Sequence, residues 1–262
     1  KYLSIKKFFL LFLVYLKKIF TNILTPKPKL FFIGNYLVYK NLLKKVNKKK
    51  IYRVNNHDYE KYLLNKKKKK QKYIVFIDQD YGEDFDYKLN KSFKEKINLK
   101  DYWNKLELLF KQIEFKYPNY KIKIAAHHRR NKFSFPLKRK FIFNKTLDLI
   151  KEAKLVIGSS STAFSFAILA KKPILLISHE SFFEYSYRRV IDLDFLKKKL
   201  GLNILNLNSI NNTKFLDRNK LFNYNHKKYK LYTQHIIANP QMRSYGNMWE
   251  KILVVLNKEA VN

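Results

Sequence analysis

The sequence predicts an α/β protein whose larger, C-terminal part is a doubly wound parallel sheet, and three observations predict it. Short, continuous apolar segments such as Tyr73–Asp78 are typical of strands that are buried on both faces. They alternate with amphipathic segments, of which residues 101–117 carry the clearest helical stripe of apolar side chains. Residues 155–178 then give strand, polar turn, helix and strand, the unit that connects neighbouring parallel strands.

Residues 1–70 have a weaker pattern, and we predict that they form a partial N-terminal region. The domain boundary is placed near residue 70, after the lysine run Lys66–Lys70, which is typical of a solvated loop. The first residue is Lys rather than Met, which favours a fragment or a processed product. The predicted elements of this region are strands at Leu30–Ile33 and Ile51–Val54 and a helix at Tyr59–Leu64 with Asp58 as its N-cap.

Residues 71–262 alternate regularly between strands and helices, as an open α/β sheet requires. The predicted strands are Tyr73–Asp78, Lys121–Ala126, Phe141–Phe143 at an edge, Leu155–Ile157, Ile174–Ile177 and Leu202–Leu207. The predicted helices are 101–117, Thr146–Ala153, Thr162–Ala170, Asp192–Leu200 with Gly201 as its C-cap, 226–237 and 246–257.

The N-terminal segment Phe8–Leu16 is apolar and is bracketed by two pairs of lysines. It is too short to span a bilayer, which needs roughly 20 apolar residues. Two interpretations remain: a helix that lies on an anionic membrane surface, or a core helix of a truncated domain. Because the segment is apolar nearly all round, we favour the membrane surface.

The charge of the chain is strongly positive, with 56 Lys and Arg against 20 Asp and Glu. This favours a polyanionic partner, either a nucleic acid or an anionic membrane. An AT-rich genome, which enriches Lys, Asn, Ile, Phe and Tyr together, explains the same composition equally well. The chain has no cysteine, which excludes disulfides and thiolate metal sites.

Three polar loops follow predicted strands and are therefore expected at the carboxyl edge of the sheet, where α/β proteins bind ligands. Asp78–Asp86 contains acidic side chains, and His127–Asn131 combines two imidazoles with two guanidiniums, which suit anion recognition. Gly158–Thr162 places hydroxyls and backbone N–H groups before a predicted helix, where phosphate is stabilised. The candidate phosphate-binding residues are His127, His128, Arg129, Arg130, Gly158, Ser159, Ser160, Ser161 and Thr162.

Several other chemistries have no support in the sequence. The turn GSSST lacks the second glycine of a nucleophile elbow, and the chain has neither a dinucleotide-binding G-x-G-x-x-G nor a Walker A loop. A metal site at His127 and His128 is not expected, because adjacent residues of an extended chain point to opposite faces. We predict no metal and no cofactor.

The segments AAHHRRN at 125–131 and KTLDLIKEAKLVIGSSSTAFSFAILAKKPILLIS at 145–178, with a terminal helix bearing Tyr and Trp, resemble the donor-binding domain of GT-B glycosyltransferases. The resemblance covers about residues 72–257 and is nearest to bacterial surface-polysaccharide enzymes, including the CMP-sugar users (sialyltransferases, polysialyltransferases and β-Kdo transferases). It implies a GT-B-like fold. It also implies that His127 or His128 contacts the nucleotide and that Ser160, Ser161 and Thr162 hold its phosphate. The family's His-Pro motif is here His127-His128-Arg129, without proline.

The resemblance implies a metal-independent glycosyltransferase of lipopolysaccharide or capsule synthesis that uses a nucleotide sugar, with a CMP-sugar favoured, and a glycan or glycolipid acceptor. Such an enzyme is expected in the cytoplasm, peripheral on the inner face of the bacterial inner membrane, with residues 1–70 on the acceptor side. A general base must deprotonate the acceptor hydroxyl. Its candidates are Asp58, Asp78, Asp80, Glu83 and Asp84.

Two other functions compete with the transferase. The first is a catalytically inactive or truncated sugar-nucleotide-binding module, in which no carboxylate faces the serine turn. The second is a basic nucleic-acid-binding protein. Basic residues are dispersed along the chain and no nucleic-acid recognition motif is present, so we expect no nucleic-acid partner.

Overall fold

The structure is a computed structural model. It describes residues 30–34, 51–65, 73–81, 98–130, 136–182, 187–210, 216–239 and 247–261. The predictions for Phe8–Leu16, the Lys66–Lys70 loop, Glu83, Asp84 and Asn131 lie outside the described residues.

The strands form a parallel pair and a six-stranded parallel sheet, which confirms the predicted fold class. The strands are β1 Phe31–Ile33, β2 Ile51–Arg53, β3 Tyr73–Ile77, β4 Lys121–Ala125, β5 Phe141–Ile142, β6 Ala153–Gly158, β7 Ile174–Ser178 and β8 Ile204–Asn206. The two strands β1 and β2 pair with each other. The large sheet has the order β5-β4-β3-β6-β7-β8, and every neighbouring pair in it is parallel.

The helices cover both faces of this sheet. They are α1 His57–Leu64, α2 Leu99–Lys116, α3 Thr146–Glu152, α4 Phe164–Leu169, α5 Tyr187–Leu200, α6 Arg218–Leu221, α7 His226–Tyr232 with a π-helical turn at Thr233–Ile237, and α8 Met248–Val261. The chain moves from β3 to β4 through α2, and then in the opposite direction from β5 through β6 to β7. Right-handed crossovers therefore put α2 on one face and α3 and α4 on the other.

The order of the strands creates a switch point between β3 and β6. From β3 the chain builds outward to β4 and β5, then returns to the other side of β3 and builds outward again to β8. The loops that follow β3 and β6 consequently leave the sheet in opposite directions and open a crevice at its carboxyl edge.

The core consists of the apolar strand segments and the stripe of α2. Every residue of β3 is buried, as expected for a central parallel strand. On α2, Leu106, Leu109, Phe110 and Ile113 are fully buried, and the ring of Phe110 meets that of Phe76 edge-on at 5.4 Å. The predicted helical stripe is thereby confirmed.

The structure corrects one predicted cap and the start of one predicted helix, and it confirms a second cap. Asn56, not Asp58, caps α1: its extended backbone lets the side-chain oxygen accept from the N–H of Asp58 at 3.0 Å. The helix predicted at Thr162–Ala170 is confined to α4, because residues 162 and 163 form a turn. Gly201 does end α5 as predicted, with a φ of 68° and its N–H on the carbonyl of Lys197 at 2.9 Å.

Residues 51–65 are joined to segments near the other end of the chain. The side chain of Asn239 donates to the carbonyl of Arg53 at 3.0 Å, and the N–H of Asn56 donates to the carbonyl of Ile237 at 2.8 Å. Lys251 of α8 also donates to the carbonyl of Arg53, at 2.9 Å. These contacts place α1 and β2 beside the C-terminal helices. In the part of the chain described, no helix is both long enough and apolar enough to cross a bilayer.

Candidate anion-binding site

A cleft of about 330 Å³ lies at the carboxyl edge of the large sheet, over the switch point. Loops after β3, β4 and β6 and the first half of α5 form its walls. The lining residues are Asp78, Gln79, Asp80, His127, Arg129, Ser160, Ser161, Thr162, Arg189 and Asp192. Seven of the residues proposed from sequence, from three loops separated by up to about 80 positions, therefore meet in one cavity: Asp78, Asp80, His127, Arg129, Ser160, Ser161 and Thr162.

The serine turn contributes hydroxyls to the cleft from three of its residues, but not from Ser159. Ser159 is buried, and its hydroxyl donates to the side-chain oxygen of Gln79. The N–H of Ser160 donates to the same oxygen at 3.2 Å, and its hydroxyl donates to Asp192 at 3.3 Å. Gln79 therefore fixes the turn from the neighbouring strand, while Ser160, Ser161 and Thr162 line the cavity.

The backbone N–H groups after the turn already donate hydrogen bonds within the protein, which the sequence did not lead us to expect. The N–H of Ala163 donates to the hydroxyl of Ser161 at 3.2 Å, and the N–H groups of Phe164 and Ser165 donate to turn carbonyls at 3.2 and 3.0 Å. With six residues, α4 is also too short to build a full macrodipole. An anion in this cleft would consequently be held by hydroxyls and side-chain cations rather than by a helix terminus.

Gly158 ends β6 beneath the turn and does not line the cleft. A Cβ atom at this position would lie 3.1 Å from the ring of Phe164, which is itself buried. The glycine therefore permits α4 to pack closely on the strand, a different use from the phosphate contact predicted for it.

The two adjacent arginines of the second loop have different environments. Arg129 is exposed and lines the cleft. Arg130 is 4 % exposed and donates two hydrogen bonds to the carboxylate of Asp78, at 2.9 and 2.7 Å. The structure does not support the predicted phosphate contact of Arg130. Its guanidinium forms this bidentate pair with Asp78 and packs on the ring of Trp103.

Asp78 organises the loops and is unsuited to be the general base for which it was a candidate. Besides Arg130, its carboxylate accepts the N–H of His127 at 3.1 Å and the N–H of Asp80 at 3.2 Å. All of its acceptor positions face the protein, and its side chain is fully buried. A carboxylate held in this way positions the two loops beside it.

The rings of the two histidines lie beside each other, tilted by 39°, instead of pointing to opposite faces. Their ring centroids lie 4.3 Å apart, because the chain turns directly after β4 and the N–H of Arg130 donates to the carbonyl of His127 at 3.0 Å. His127 lines the cleft, and its Nδ1 lies 3.5 Å from Oδ2 of Asp80. His128 is exposed and is not among the lining residues. Asp58 lies on α1 and is likewise not among them.

Sequence reasoning missed three residues of the cleft: Gln79, Arg189 and Asp192. The side chain of Arg189 donates to Gln79 at 3.3 Å, and its guanidinium lies 5.7 Å from the centre of the Tyr81 ring. Both α5 residues enter from a helix more than 25 positions after the serine turn, and no local pattern marks them. Gln79 stands directly after β3, so the rule of strand ends could have found it.

A buried hydrogen-bond chain supports this wall of the cleft. His179 Nε2 lies 3.0 Å from a carboxylate oxygen of Asp101, its Nδ1 lies 2.7 Å from the hydroxyl of Ser181, and that hydroxyl lies 2.8 Å from the hydroxyl of Tyr81. Burial lowers the pKa of His179 despite the nearby Asp101, so its ring is neutral near pH 7. A neutral ring with its proton on Nε2 satisfies every partner in this chain, which joins α2 to the loop after β7 and to Tyr81.

The cleft combines two guanidiniums and an imidazole with three hydroxyl side chains, a donor set suited to an oxyanion such as phosphate. Among the described residues, a group able to surround a metal ion is formed by Asp101, His179 and Glu180. That group is not part of the cleft lining, and Lys105 already pairs with Asp101 at 2.7 Å. Fold and site together define a Rossmann-like α/β domain with a cleft at its switch point whose lining side chains suit an oxyanion.

No protein-family model matches the sequence, and no curated protein matches it either. Among solved structures, the chain is similar to the UDP-GlcNAc 2-epimerase of Methanocaldococcus jannaschii in complex with UDP-GlcNAc and UDP. The identity is 18 %, the TM-score is 0.50, and the match covers 88 % of this chain and 61 % of that one. This likeness confirms the fold.

Two further solved structures match more weakly. The wall teichoic acid polymerase TagF matches at 12 % identity and a TM-score of 0.44, over 89 % of this chain and 59 % of that one. The glycosyltransferase of kitacinnamycin matches at 6 % identity and a TM-score of 0.44, over 88 % of this chain and 55 % of that one. The chain thus spans between 55 and 61 % of the length of these three proteins.

Proposed function

We propose that the cleft binds the phosphate of a nucleotide sugar and that the protein transfers the sugar to a surface glycan or glycolipid. The observation that carries the proposal is the convergence of Arg129, Arg189 and His127 with the hydroxyls of Ser160, Ser161 and Thr162 at the switch point. α/β proteins bind nucleotides at this place in the sheet. The UDP-sugar complex of the epimerase that shares the fold supports the same class of ligand.

The donor set also suits the chemistry of glycosyl transfer. When the bond between the sugar and the nucleotide breaks, negative charge develops on the departing phosphate. Preorganised hydrogen-bond donors stabilise that charge most effectively in a site that excludes water. Two guanidiniums, an imidazole and three hydroxyls can do this through protein groups alone, and we propose that they do.

The nucleotide is proposed to be a CMP-activated sugar in the first instance, because the sequence resembles CMP-sugar users. UDP is the second candidate. The general base that deprotonates the acceptor is not proposed to be Asp78, whose carboxylate is buried and paired, nor Asp58, which lies on α1 outside the cleft lining.

Nucleotide binding is tested by titrating CMP, UDP, GDP and inorganic phosphate into the full chain while following thermal unfolding. A ligand at 100 times its Kd stabilises the folded state by about 2.7 kcal/mol. We expect one nucleotide to raise the unfolding temperature, and Arg129→Met or the double variant Ser161→Ala with Thr162→Ala to abolish that rise. Lys111→Met on α2, which removes a cation away from the cleft, is the matched control.

Incubation with the nucleotide sugar and mass analysis of the products separates the remaining candidate functions. Release of the nucleotide with a sugar-bearing acceptor supports transfer, and a changed but still activated sugar supports epimerisation, which the likeness to the epimerase makes the second candidate. Tight binding without turnover supports a binding module. If no nucleotide binds while single-stranded nucleic acid binds in a salt-sensitive way, the protein is a nucleic-acid binder.

A peripheral position on an anionic membrane is also proposed, and α8 supplies the observation that favours it. Trp249, Leu253 and Leu256 are exposed and spaced to lie on one face of this helix. An apolar stripe with Trp on a protein of net charge +36 fits the surface of an anionic bilayer.

Cosedimentation with phosphatidylglycerol vesicles tests this proposal. We expect binding that is lost in Trp249→Ala with Leu253→Ala and that is weaker with phosphatidylcholine. Phe115→Ala removes an exposed apolar ring from α2 and serves as the control. Equal binding by both variants, or none by the unaltered chain, would contradict this use of α8.

A further inference from the structure

Asp80 carries a buried carboxylate that lines the cleft. The residue is 1 % exposed, and neither of its carboxylate oxygens has a hydrogen-bond partner among the described residues. Its backbone has a φ of 58°, a conformation that is costly for any residue other than glycine, although Asp and Asn tolerate it best. A buried carboxylate that has no hydrogen bond from the described residues, in a strained loop at a cleft, calls for a functional explanation.

The imidazole of His127 lies beside this carboxylate, with 3.5 Å between its Nδ1 and Oδ2 of Asp80. Arg130 is another buried cation nearby, and among the described residues it donates two hydrogen bonds to the carboxylate of Asp78. Arg129, Arg189 and Asp192 complete the charged groups of the cleft. Pairing Asp78 with Arg130 leaves Asp80 to be balanced by His127.

Nδ1 of His127 has a second contact, which competes with the first. The backbone N–H of Arg129 lies 3.4 Å from it and could donate to its lone pair. One nitrogen cannot accept from Arg129 and donate to Asp80 together. The bond to the carboxylate is the stronger choice, because it is charge-assisted and relieves a buried unpaired charge, whereas the N–H of Arg129 is in an exposed residue.

We propose that Asp80 is a positioning residue that holds the proton of His127 on Nδ1 and leaves Nε2 for the phosphate of the ligand. This inference rests on the proposed nucleotide-binding function. Within it, Asp80 orients the ring and His127 contacts the phosphate. As the phosphate binds, Nε2 takes up a second proton from solvent, and the ring then donates from Nδ1 to Asp80 and from Nε2 to a phosphate oxygen. Hydrogen bonds of this kind are often long without ligand and shorten when it binds.

The position of the proton on the His127 ring tests the proposal directly and does not depend on any activity. The full chain is labelled with ¹⁵N-histidine, and the ring nitrogens are observed by NMR at a pH where the imidazoles are neutral. His127→Gln identifies the signal among the six histidines. We expect the proton on Nδ1 in the unaltered chain and on Nε2 in Asp80→Asn, because the Asn amide and the N–H of Arg129 both donate toward Nδ1.

Asp80→Asn suits this test because Asn adopts a positive φ about as readily as Asp, so that the loop is kept and the charge is removed. Asp192→Asn removes another carboxylate from the cleft and should leave the tautomer of His127 unchanged. Titration of CMP and of cytidine then measures the consequence: Asp80→Asn should weaken CMP binding about tenfold and cytidine binding not at all.

The outcomes separate the two hypotheses. A proton on Nε2 in the unaltered chain, or the same tautomer in Asp80→Asn, overturns the role of Asp80 whatever the protein binds. The expected tautomers together with no binding of CMP or UDP support the pair and refute the proposed function. An equal loss of CMP and cytidine binding in Asp80→Asn would show that the residue maintains the loop and does not act on the phosphate.

Discussion

Replacing each of the two adjacent arginines of the second loop should separate stability from ligand binding. Arg130→Met removes a guanidinium that is 4 % exposed and leaves the carboxylate of Asp78, at 2 % exposure, without its ionic partner. Breaking a buried ion pair from one side costs about 3–5 kcal/mol. We expect the lower end, about 3 kcal/mol, because two backbone N–H groups still donate to Asp78, from His127 and Asp80.

Urea unfolding followed by circular dichroism measures this loss, which corresponds to a fall in the unfolding temperature of about 6–12 °C for a chain of this size. Arg129→Met, one residue away and exposed, should change the free energy of unfolding by less than about 0.5 kcal/mol while weakening nucleotide binding. Similar losses of stability in the two variants, or an unaltered stability in Arg130→Met, would refute the assignment of the pair.

A double-mutant cycle isolates the ion pair from the other losses. Asp78→Asn keeps the size of the side chain and removes its charge. Combined with Arg130→Met it should give a coupling energy of about 2 kcal/mol between the two positions. A coupling near zero would mean that Arg130 acts through its packing on Trp103 rather than through Asp78.

Three further perturbations follow from the described contacts. Because burial lowers the pKa of His179, the unfolded chain takes up a proton near pH 6.5 that the folded chain does not. The unfolding temperature should therefore fall as the pH drops from 7 to 5. His179→Gln should reduce this fall, and the same pH profile in that variant would contradict the role of His179. Gly158→Ala should cost about 1–2 kcal/mol by crowding Phe164, whereas Gly34→Ala, whose new methyl would lie 3.5 Å or more from its neighbours, should be neutral or slightly stabilising in the same urea titration. On α2, Leu106→Ala should lose about 2–5 kcal/mol and the exposed Phe115→Ala almost nothing; comparable losses would mean that α2 does not pack as described.

The strands and helices could be predicted because their signal is local. β3 and β7 are short apolar segments bounded by polar loops, and the stripe of α2 repeats within one segment of sequence. The serine turn and the His-Arg loop could be placed at one edge of the sheet, because parallel strands bring their carboxyl ends together. The caps were less certain, since Asn56 and Asp58 are both good N-cap residues only two positions apart.

The division of roles within each loop could not be predicted, because it depends on contacts between distant residues. Arg129 and Arg130 are adjacent residues of the same type, so the sequence does not separate their roles. Only the contact with Asp78, 52 positions away, identifies Arg130 as the buried one. Arg189 reaches Gln79 across 110 positions, and its part in the cleft is a result of how α5 crosses the sheet.

The sequence by itself determined the alternation of strands and helices, the parallel sheet and the edge at which a ligand would bind, since apolar periodicity and turn chemistry act over a few residues. Tertiary structure alone decided which cations face the cleft and which carboxylate forms an ion pair with Arg130. It also left Asp80 buried beside His127. The physical reason is that burial and charge pairing are properties of the assembled loops, where side chains from three strand ends share one small volume.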